Sequence, residues 1–204
     1  MEKILLLTSI LLLASCSHTR QKSFEAQTEK PHSYRSIASN WKSNIEYHNF
    51  TKDEVQKVEK ALAIIKHIIN SDEFHDLVLD YTFEGEKQFN ENNNYSNAEI
   101  YQLILLGAEI IGNRQANNTM DVELELYEDS SKTIGYTYPN TTRIWMNRKY
   151  FSKYTPAQVA GNLMHEWMHK LGFTHTLKWN KDRQHTVPYA IGYLIEDLAT
   201  KMNL

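Results

Sequence analysis

Residues 155–175 read TPAQVAGNLMHEWMHKLGFTH, and this stretch joins the clearest helix start in the chain to a dense group of histidines. Thr155 in the N-cap position, Pro156 at the first helical position and Gln158 at the capping-box position predict that a helix begins here. We expect the helix to end at Gly172, because glycine readily takes the left-handed conformation that terminates helices. The stretch therefore predicts a helix followed by a sharp reversal of the chain.

The histidines in this stretch have the spacing of a metal site. His165 and His169 are four residues apart, so they lie one turn above each other on one face of the helix, where two imidazoles can bind one ion. His175 can return to the same ion after the reversal at Gly172. Glu166 points about 100° around the helix, beside the metal, where it can accept a proton from water. Three protein ligands leave a fourth position for water, which is typical of a catalytic rather than a structural zinc site.

A simpler interpretation is that these are surface histidines on an amphipathic helix. That interpretation accounts for a bare HExxH pattern, which occurs by chance often enough to need support. It does not account for the added glycine and the third histidine at matching positions. The sequence therefore favours a zinc site.

The segment HEWMHKLGFTH resembles the HExxHxxGxxH signature of the metzincin metallopeptidases, a clan of zinc endopeptidases. The resemblance implies one Zn²⁺ per chain, bound by His165, His169 and His175, with Glu166 as the general base and Gly172 as the turn. It also implies that an extended peptide or protein substrate is hydrolysed in a cleft beside the zinc. The specific match covers 11 residues.

The chain departs from the metzincin pattern after the third histidine. Metzincins have a methionine in a tight turn beneath the zinc, whereas the corresponding segment HTVPYAIG, residues 185–192, contains none. We expect Tyr189 to occupy this turn, either as an apolar base under the site or with its hydroxyl near the metal. His185 is a further candidate, for a hydrogen bond to the transition state. Met202 lies in what reads as a final helix and is a poor substitute, and the short C-terminal segment predicts a minimal lower subdomain.

Two alternatives stay open. In a thermolysin-like zinc peptidase, Glu196 would supply the third ligand, 27 residues after His169, but His175 would then have no role. In a catalytically inactive lipoprotein, zinc would serve structure or the cleft would bind a partner. Such a protein would not need Glu166, which neither coordinates the metal nor packs in the core.

The N-terminus has the pattern of an export signal. Lys3 precedes an apolar run, Ile4–Leu13, which has the length of a signal-peptide core and is too short for a stable membrane span. Leu13-Ala14-Ser15-Cys16 resembles the lipobox of bacterial lipoproteins, which implies cleavage before Cys16 and lipidation of its thiol. The alternative is an ordinary cleaved signal with a stray cysteine. We expect a lipid-anchored protein of the bacterial cell envelope, at the outer membrane or cell surface.

The length and composition of the chain bear on its domain organisation, its metal ligands and its partners. We expect residues 1–15 to be the signal peptide, 16–45 the lipidated cysteine and a polar tether, and 46–204 one metallopeptidase domain. Cys16 is the single cysteine of the chain, so any metal in the domain must be bound by histidine and carboxylate. The formal net charge of −3 argues against a nucleic-acid partner. We expect the protein to be a monomer that is attached to the membrane through its lipid.

The rest of the sequence predicts an α+β fold, in which a small mixed sheet with a β-hairpin edge packs on helices that include the zinc-binding helix. Alternating apolar and polar residues predict a strand at Val122–Tyr127, and Thr133–Tyr138 with Thr142–Asn147 predict the hairpin. By similarity to metzincins, Thr133–Tyr138 would be the sheet edge that lines the cleft and pairs with substrate.

Capping residues predict three earlier helices. These follow Thr51, Ser71 and Ser96, each with apolar residues at helical spacing behind it. The third of these helices is expected to run through Ile110 and to end near Gly112.

Overall fold

A computed structural model of the chain describes residues 40–111 and 116–204. In chain order its elements are β1 (Lys42–His48), α1 (Lys52–Ile69), α2 (Asp72–Leu79), α3 (Asn97–Leu106), β2 (Thr119–Tyr127), β3 (Gly135–Thr137), β4 (Arg143–Asn147), α4 (Arg148–Phe151), α5 (Pro156–Lys170), a 3-10 turn (Arg183–His185) and α6 (Val187–Lys201). These elements form a mixed α+β fold, as the sequence predicts. The expected signal peptide and Cys16 lie outside the described residues. Among the described residues, no helix combines the length and the apolar character that a membrane span requires.

The predicted N-caps begin their helices in the structure. Thr51, Ser96 and Thr155 each accept a hydrogen bond from the third residue of the helix, whose own side chain bonds back to the cap backbone. Ser71 caps α2 through its hydroxyl alone. Each cap satisfies amides that have no partner within the helix, so the local sequence sets where these helices start.

Helix α3 ends earlier than expected. It stops at Leu106, because Gly107 adopts the left-handed conformation with φ 57°. A Cβ at Gly107 would lie 2.2 Å from the carbonyl oxygen of Thr119, so this close approach also requires glycine. Ile110 continues the apolar pattern in the sequence, but its amide donates to the C-terminal end of α5 instead. The expected end near Gly112 is therefore wrong, and Gly112 itself lies outside the described residues.

The four strands are ordered β1-β2-β4-β3, with β1, β2 and β4 parallel and β3 antiparallel to β4. The predicted hairpin is confirmed, and β3 forms one edge of this sheet. Alternate side chains of β2 are buried with the apolar faces of α1 and α5 in one core, and the opposite face carries polar residues. On that polar face, Arg143 pairs with Glu123 and Glu125 of the neighbouring strand.

The folded domain begins before residue 46. Strand β1 pairs with β2 from Lys42, and the preceding Trp41 is 1% exposed with its ring edge-on to Trp167 of α5. The expected tether included these residues because their sequence is polar. The pairing with β2 is long-range, and the local sequence pattern does not reveal it.

Helices α5 and α6 pack closely through two glycines. A Cβ added at Gly161 would lie 2.9 Å from the carbonyl oxygen of Gly192, and one added at Gly192 would lie 2.8 Å from that of Gly161. The second Cβ would also come within 3.2 Å of the Cβ of His165. Glycine therefore lets the two backbones approach at the level of the histidine motif, which sets α6 beside the candidate site.

This contact reverses the usual effect of placing alanine in a helix. Alanine normally stabilises a helix interior by about 1 kcal/mol relative to glycine. Gly192→Ala would instead push a methyl group against backbone atoms, and we expect it to lower the free energy of unfolding by about 1–3 kcal/mol. Urea unfolding would measure the effect, with the exposed Asp197→Ala on the same helix as a control that changes it by less than about 0.5 kcal/mol. A Gly192→Ala protein that is more stable than wild type would contradict the close packing.

Candidate metal centre

The chain reverses directly after α5. Gly172 has φ 98°, and its amide donates to the carbonyl of His169 at 3.1 Å. The next amide, that of Phe173, donates to the carbonyl of Met168 at 3.1 Å, so the last carbonyls of the helix are satisfied. The Phe173 ring is fully buried and anchors the returning chain. This geometry brings His175 back beside the helix that it has just left.

The three predicted histidines converge on one point. One ring nitrogen from each of His165, His169 and His175 lies within 4.8 Å of the others. The Nδ1 of His169 donates to the carbonyl of Phe173 at 2.8 Å, and the Nδ1 of His175 donates to that of Thr176 at 3.2 Å. Because a carbonyl oxygen can only accept, these contacts place the proton on Nδ1 and leave Nε2 with a free lone pair.

The spacing of these nitrogens fits a metal ion. The Nε2 atoms of His175 and His165 are 3.3 Å apart. Two nitrogens at about 2.0–2.1 Å from a tetrahedral zinc would be separated by about 3.3–3.4 Å. The backbone carbonyls that bond His169 and His175 fix the orientation of those two rings. The donor set and its spacing suit a divalent ion of this size.

Burial keeps the three rings neutral. It lowers the pKa of His169 to about 4 and that of His165 well below its ordinary value. His175 lowers both pKa values further, and His169 lowers that of His165. Burial also lowers the pKa of His175. The positive charge of Arg183 contributes to all three shifts. Neutral imidazoles are the form that binds metals, so the site is prepared for an ion at neutral pH.

Glu166 faces the same cleft from the neighbouring face of α5. Its side chain is 4% exposed, and burial raises its pKa to about 8, against the opposing effect of Lys170. Gly135 of β3 lies directly over it, because a Cβ added at Gly135 would stand 3.3 Å from Glu166 Oε1 and 3.3 Å from Asn162 Oδ1. Glycine at this position lets β3 pack closely against both groups, and Glu166 and Asn162 line the cleft beside it. Glu166 is thus placed to exchange a proton with a molecule bound between α5 and β3.

Lys170 fixes the hairpin to the metal-binding helix. Its side chain is buried, and its Nζ donates to the carbonyls of Tyr138 at 3.1 Å, of Arg143 at 2.9 Å and of Thr141. Burial lowers the pKa of Lys170 to about 8, while the Glu166 carboxylate acts in the opposite direction. Tyr138 and Thr141 lie in the β3–β4 turn and Arg143 is the first residue of β4, so Lys170 fixes the position of the hairpin relative to α5.

The cleft has a volume of about 930 Å³, near the upper end of the range of about 300–1,000 Å³ that is usual for ligand sites. One wall is β3 with the residues before it, and another is the face of α6 that carries Tyr189 and Glu196. The loop after Gly172 forms the rim, where Leu177 is 89% exposed. The outer edge of β3 has no strand partner among the described residues and borders this space. A cleft with this shape can hold an extended chain alongside β3.

Tyr189 reaches the site from a different element than expected. It lies in the first turn of α6, whereas the turn that precedes this helix is formed by Arg183–His185. Its ring packs edge-on against His165 at 4.3 Å between centroids and lies 4.9 Å from the ring of His175. Tyr189 thus forms an aromatic wall against two of the ligands, which agrees with the expected contact but not with the expected turn.

The structure places His185 apart from the cleft. Its Nδ1 lies 2.8 Å from the Tyr81 hydroxyl, its ring packs against Phe83, and it is not among the residues that line the cleft. His185 therefore ties the 3-10 turn to the segment before α3. The expected role in transition-state binding has no geometric support.

Sequence reasoning missed two charged residues that matter to the site. Lys170 could have been found, since it follows Leu163 and Trp167 at helical spacing and so falls on the apolar face of α5. Arg183 lines the cleft, and its guanidinium carbon stands 4.9 Å from the centre of the Tyr189 ring. It lies in an irregular segment whose sequence carries no periodic signal.

Besides the histidine group, Glu196 and a second group of possible ligands are candidates for binding a metal. Glu196 lines the cleft beside Gly161, but among the described residues it is not part of the histidine group, which the thermolysin-like alternative would require.

A second group of possible ligands, Glu46, His48 and Glu123, lies on the polar face of the sheet. There Arg143 already donates to Glu123 at 3.0 Å, so a positive charge occupies that group.

Comparison with protein-family models finds no match for the chain, and comparison with curated proteins finds none either. The site is therefore defined by its own geometry. It is a three-histidine group that can bind a metal ion, placed in the cleft of an α+β fold with a buried carboxylate beside it.

Removal of single ligands separates the two possible ligand sets. His175→Ala should lose most of the bound metal, because it removes one of three converging nitrogens. Glu196→Ala should keep close to one ion per chain. Elemental analysis after dialysis at a fixed free zinc concentration gives both values, and circular dichroism checks that each variant is folded. The opposite pattern, with metal lost only from Glu196→Ala, would assign the third ligand to Glu196.

Proposed function

We propose that this chain is a zinc-dependent metalloendopeptidase that hydrolyses peptide bonds in an extended substrate. The observation that carries the proposal is the placement of a buried carboxylate, Glu166, in one cleft with three converging imidazole nitrogens and a sheet edge that has no strand partner among the described residues. Each part has a distinct chemical use in peptide hydrolysis, and the three occur together in one cleft. The resemblance of HEWMHKLGFTH to the metzincin signature supports the same assignment.

His165, His169 and His175 would hold the metal. Three neutral nitrogen ligands without a thiolate suit Zn²⁺, and they leave a fourth position free. When bound there, zinc supplies Lewis-acid chemistry, which polarises a peptide carbonyl and makes water a stronger acid. The carbonyl partners of the imidazole Nδ1 atoms orient the rings and raise their basicity as ligands.

Glu166 acts as the general base. In its ionised form the carboxylate can take a proton from the attacking water and deliver it to the leaving amine, and a bound divalent cation would favour that ionised form. Gly135 lets β3 pack closely beside the carboxylate. Asn162 Oδ1 is buried and has no hydrogen-bond partner within residues 40–111 and 116–204, and a peptide N–H could donate to it.

The substrate lies along β3. An extended peptide can add to the free edge of this strand through main-chain hydrogen bonds, which bind many sequences alike. The anchoring of the hairpin by Lys170 holds that edge at a fixed distance from Glu166. Main-chain pairing along a strand edge suits a substrate that is bound as an extended chain.

We also propose that the enzyme is held at the bacterial envelope by a lipid on Cys16. The support is the lipobox-like segment Leu13-Ala14-Ser15-Cys16 behind a signal-like apolar run. A polar segment between Cys16 and β1 would allow the cleft to reach substrates near the membrane surface.

Glu166→Gln tests the proposed chemistry. Glutamine keeps the size of the side chain but cannot take the proton, so cleavage of a peptide library should fall by at least about 100-fold while bound zinc stays near one per chain. Glu196→Gln is the matched control, a second cleft carboxylate that we expect to keep kcat within tenfold. Product formation is measured by mass spectrometry.

Two results of this experiment would count against the proposal. Wild-type protein that carries zinc and cleaves nothing would favour an inactive zinc-binding lipoprotein. A Glu166→Gln protein as active as wild type would show that another group accepts the proton.

The anchor has a separate test in whole cells. Wild-type protein should partition into the detergent phase of a Triton X-114 extraction, because a lipidated N-terminus is apolar. Cys16→Ser should remain unprocessed or move to the aqueous phase. Wild-type protein recovered entirely from the aqueous phase would rule out the lipid.

A further inference from the structure

Arg183 is held in place by its own backbone. Its amide donates to Asn180 Oδ1 at 2.8 Å, and its carbonyl accepts from the Thr186 hydroxyl at 2.8 Å. These bonds close the 3-10 turn that joins the cleft rim to α6. The Cα of Arg183 therefore has a fixed position at the side of the cleft, and only the guanidinium is free to meet a ligand.

The guanidinium lies over an aromatic wall of the metal centre. It stands 4.9 Å from the ring centre of Tyr189, and that ring contacts the rings of both His165 and His175. Arg183 and Tyr189 both line the cleft, so the guanidinium borders the same space as the metal centre. A ligand beside the metal centre would meet this guanidinium.

Arg183 lacks the counter-charge that the other described arginines have. Arg143 pairs with Glu123 at 2.5 Å, and Arg148 lies 3.6 Å from Glu54. Within the described ranges, no carboxylate lies within 4.0 Å of the Arg183 guanidinium, and its Nε is buried without a hydrogen-bond partner. Because Arg183 also lines the cleft, its positive charge is available there to an anionic ligand.

We propose that Arg183 forms a carboxylate-binding subsite, which selects peptides that place a carboxylate beside the metal centre. This inference rests on the proposed function, because it names the substrate class of the same cleft. A planar guanidinium binds a carboxylate through two parallel hydrogen bonds, which gives both charge and shape selection. The carboxylate can come from an acidic side chain of the substrate or from its C-terminal residue.

Matched peptides distinguish these two sources. The first series has blocked ends and carries glutamate or glutamine at one scanned position, and the second compares a free C-terminal carboxylate with its amide. We expect wild-type enzyme to prefer the carboxylate in one series by roughly ten- to a hundredfold in kcat/KM, the range of hydrogen bonds to charged groups. Arg183→Met should abolish that preference while bound zinc stays near one per chain.

Three control variants isolate the guanidinium. Lys181→Met removes an exposed charge two residues away and outside the cleft, so it should keep the preference. Lys132→Met removes another cation that lines the cleft and should also keep it. Arg183→Lys retains the charge but not the planar pair of donors, and we expect an intermediate preference.

The outcomes separate this inference from the proposed function. Wild-type enzyme that cleaves both members of every pair equally, or Arg183→Met that keeps the preference, would overturn the subsite and leave the peptidase assignment intact. Loss of the preference in Lys132→Met alone would also overturn it. Wild-type enzyme that cleaves no peptide would contradict the proposed function, and binding of the same pairs to zinc-loaded Glu166→Gln would then still test the subsite directly. Equal binding of both members by that variant would overturn it.

Discussion

The reversal of the chain at Gly172 is the constraint on which the site depends. A φ of 98° is accessible to glycine at little cost and strained for other residues, and it sends the chain back along α5 within three residues. Phe173 is buried just after the reversal and stops it from opening. His175 is then set with its Nε2 3.3 Å from that of His165. Without this turn, two ligands one helical turn apart would have no third partner.

Consecutive residues of the motif act on different sides of α5. Glu166 and Lys170, one turn apart, face the hairpin, where Glu166 offers a carboxylate to the cleft and Lys170 donates to three hairpin carbonyls. Trp167 points into the core and donates its indole N–H to Glu109 at 2.7 Å. Glu109 in turn accepts from the backbone of β2, so the sheet is fixed to the same helix. The helix that carries His165 and His169 therefore positions the cleft wall that a substrate would use.

Local patterns were sufficient to predict the helix starts, the hairpin and the convergence of His165, His169 and His175. Each depends on contacts within a few residues, or on a spacing that a helix converts directly into geometry. Tyr189 was predicted to contact the site but was assigned to a turn, because its position depends on how closely α6 approaches α5. His185 was predicted as a candidate for the site, but it lies against Tyr81, a long-range contact that the local sequence does not reveal. Arg183 gave no signal, since its place in the cleft is fixed by long-range packing of an irregular segment.

The central claim is that the three histidines bind one zinc ion in the cleft. Zinc K-edge X-ray absorption on the full-length protein loaded with one equivalent tests it most directly. We predict three imidazole nitrogens and one further light ligand at about 2.0–2.1 Å, with no sulfur. A spectrum with fewer than three imidazoles would contradict the account, and so would zinc that binds to the Glu46, His48 and Glu123 group instead.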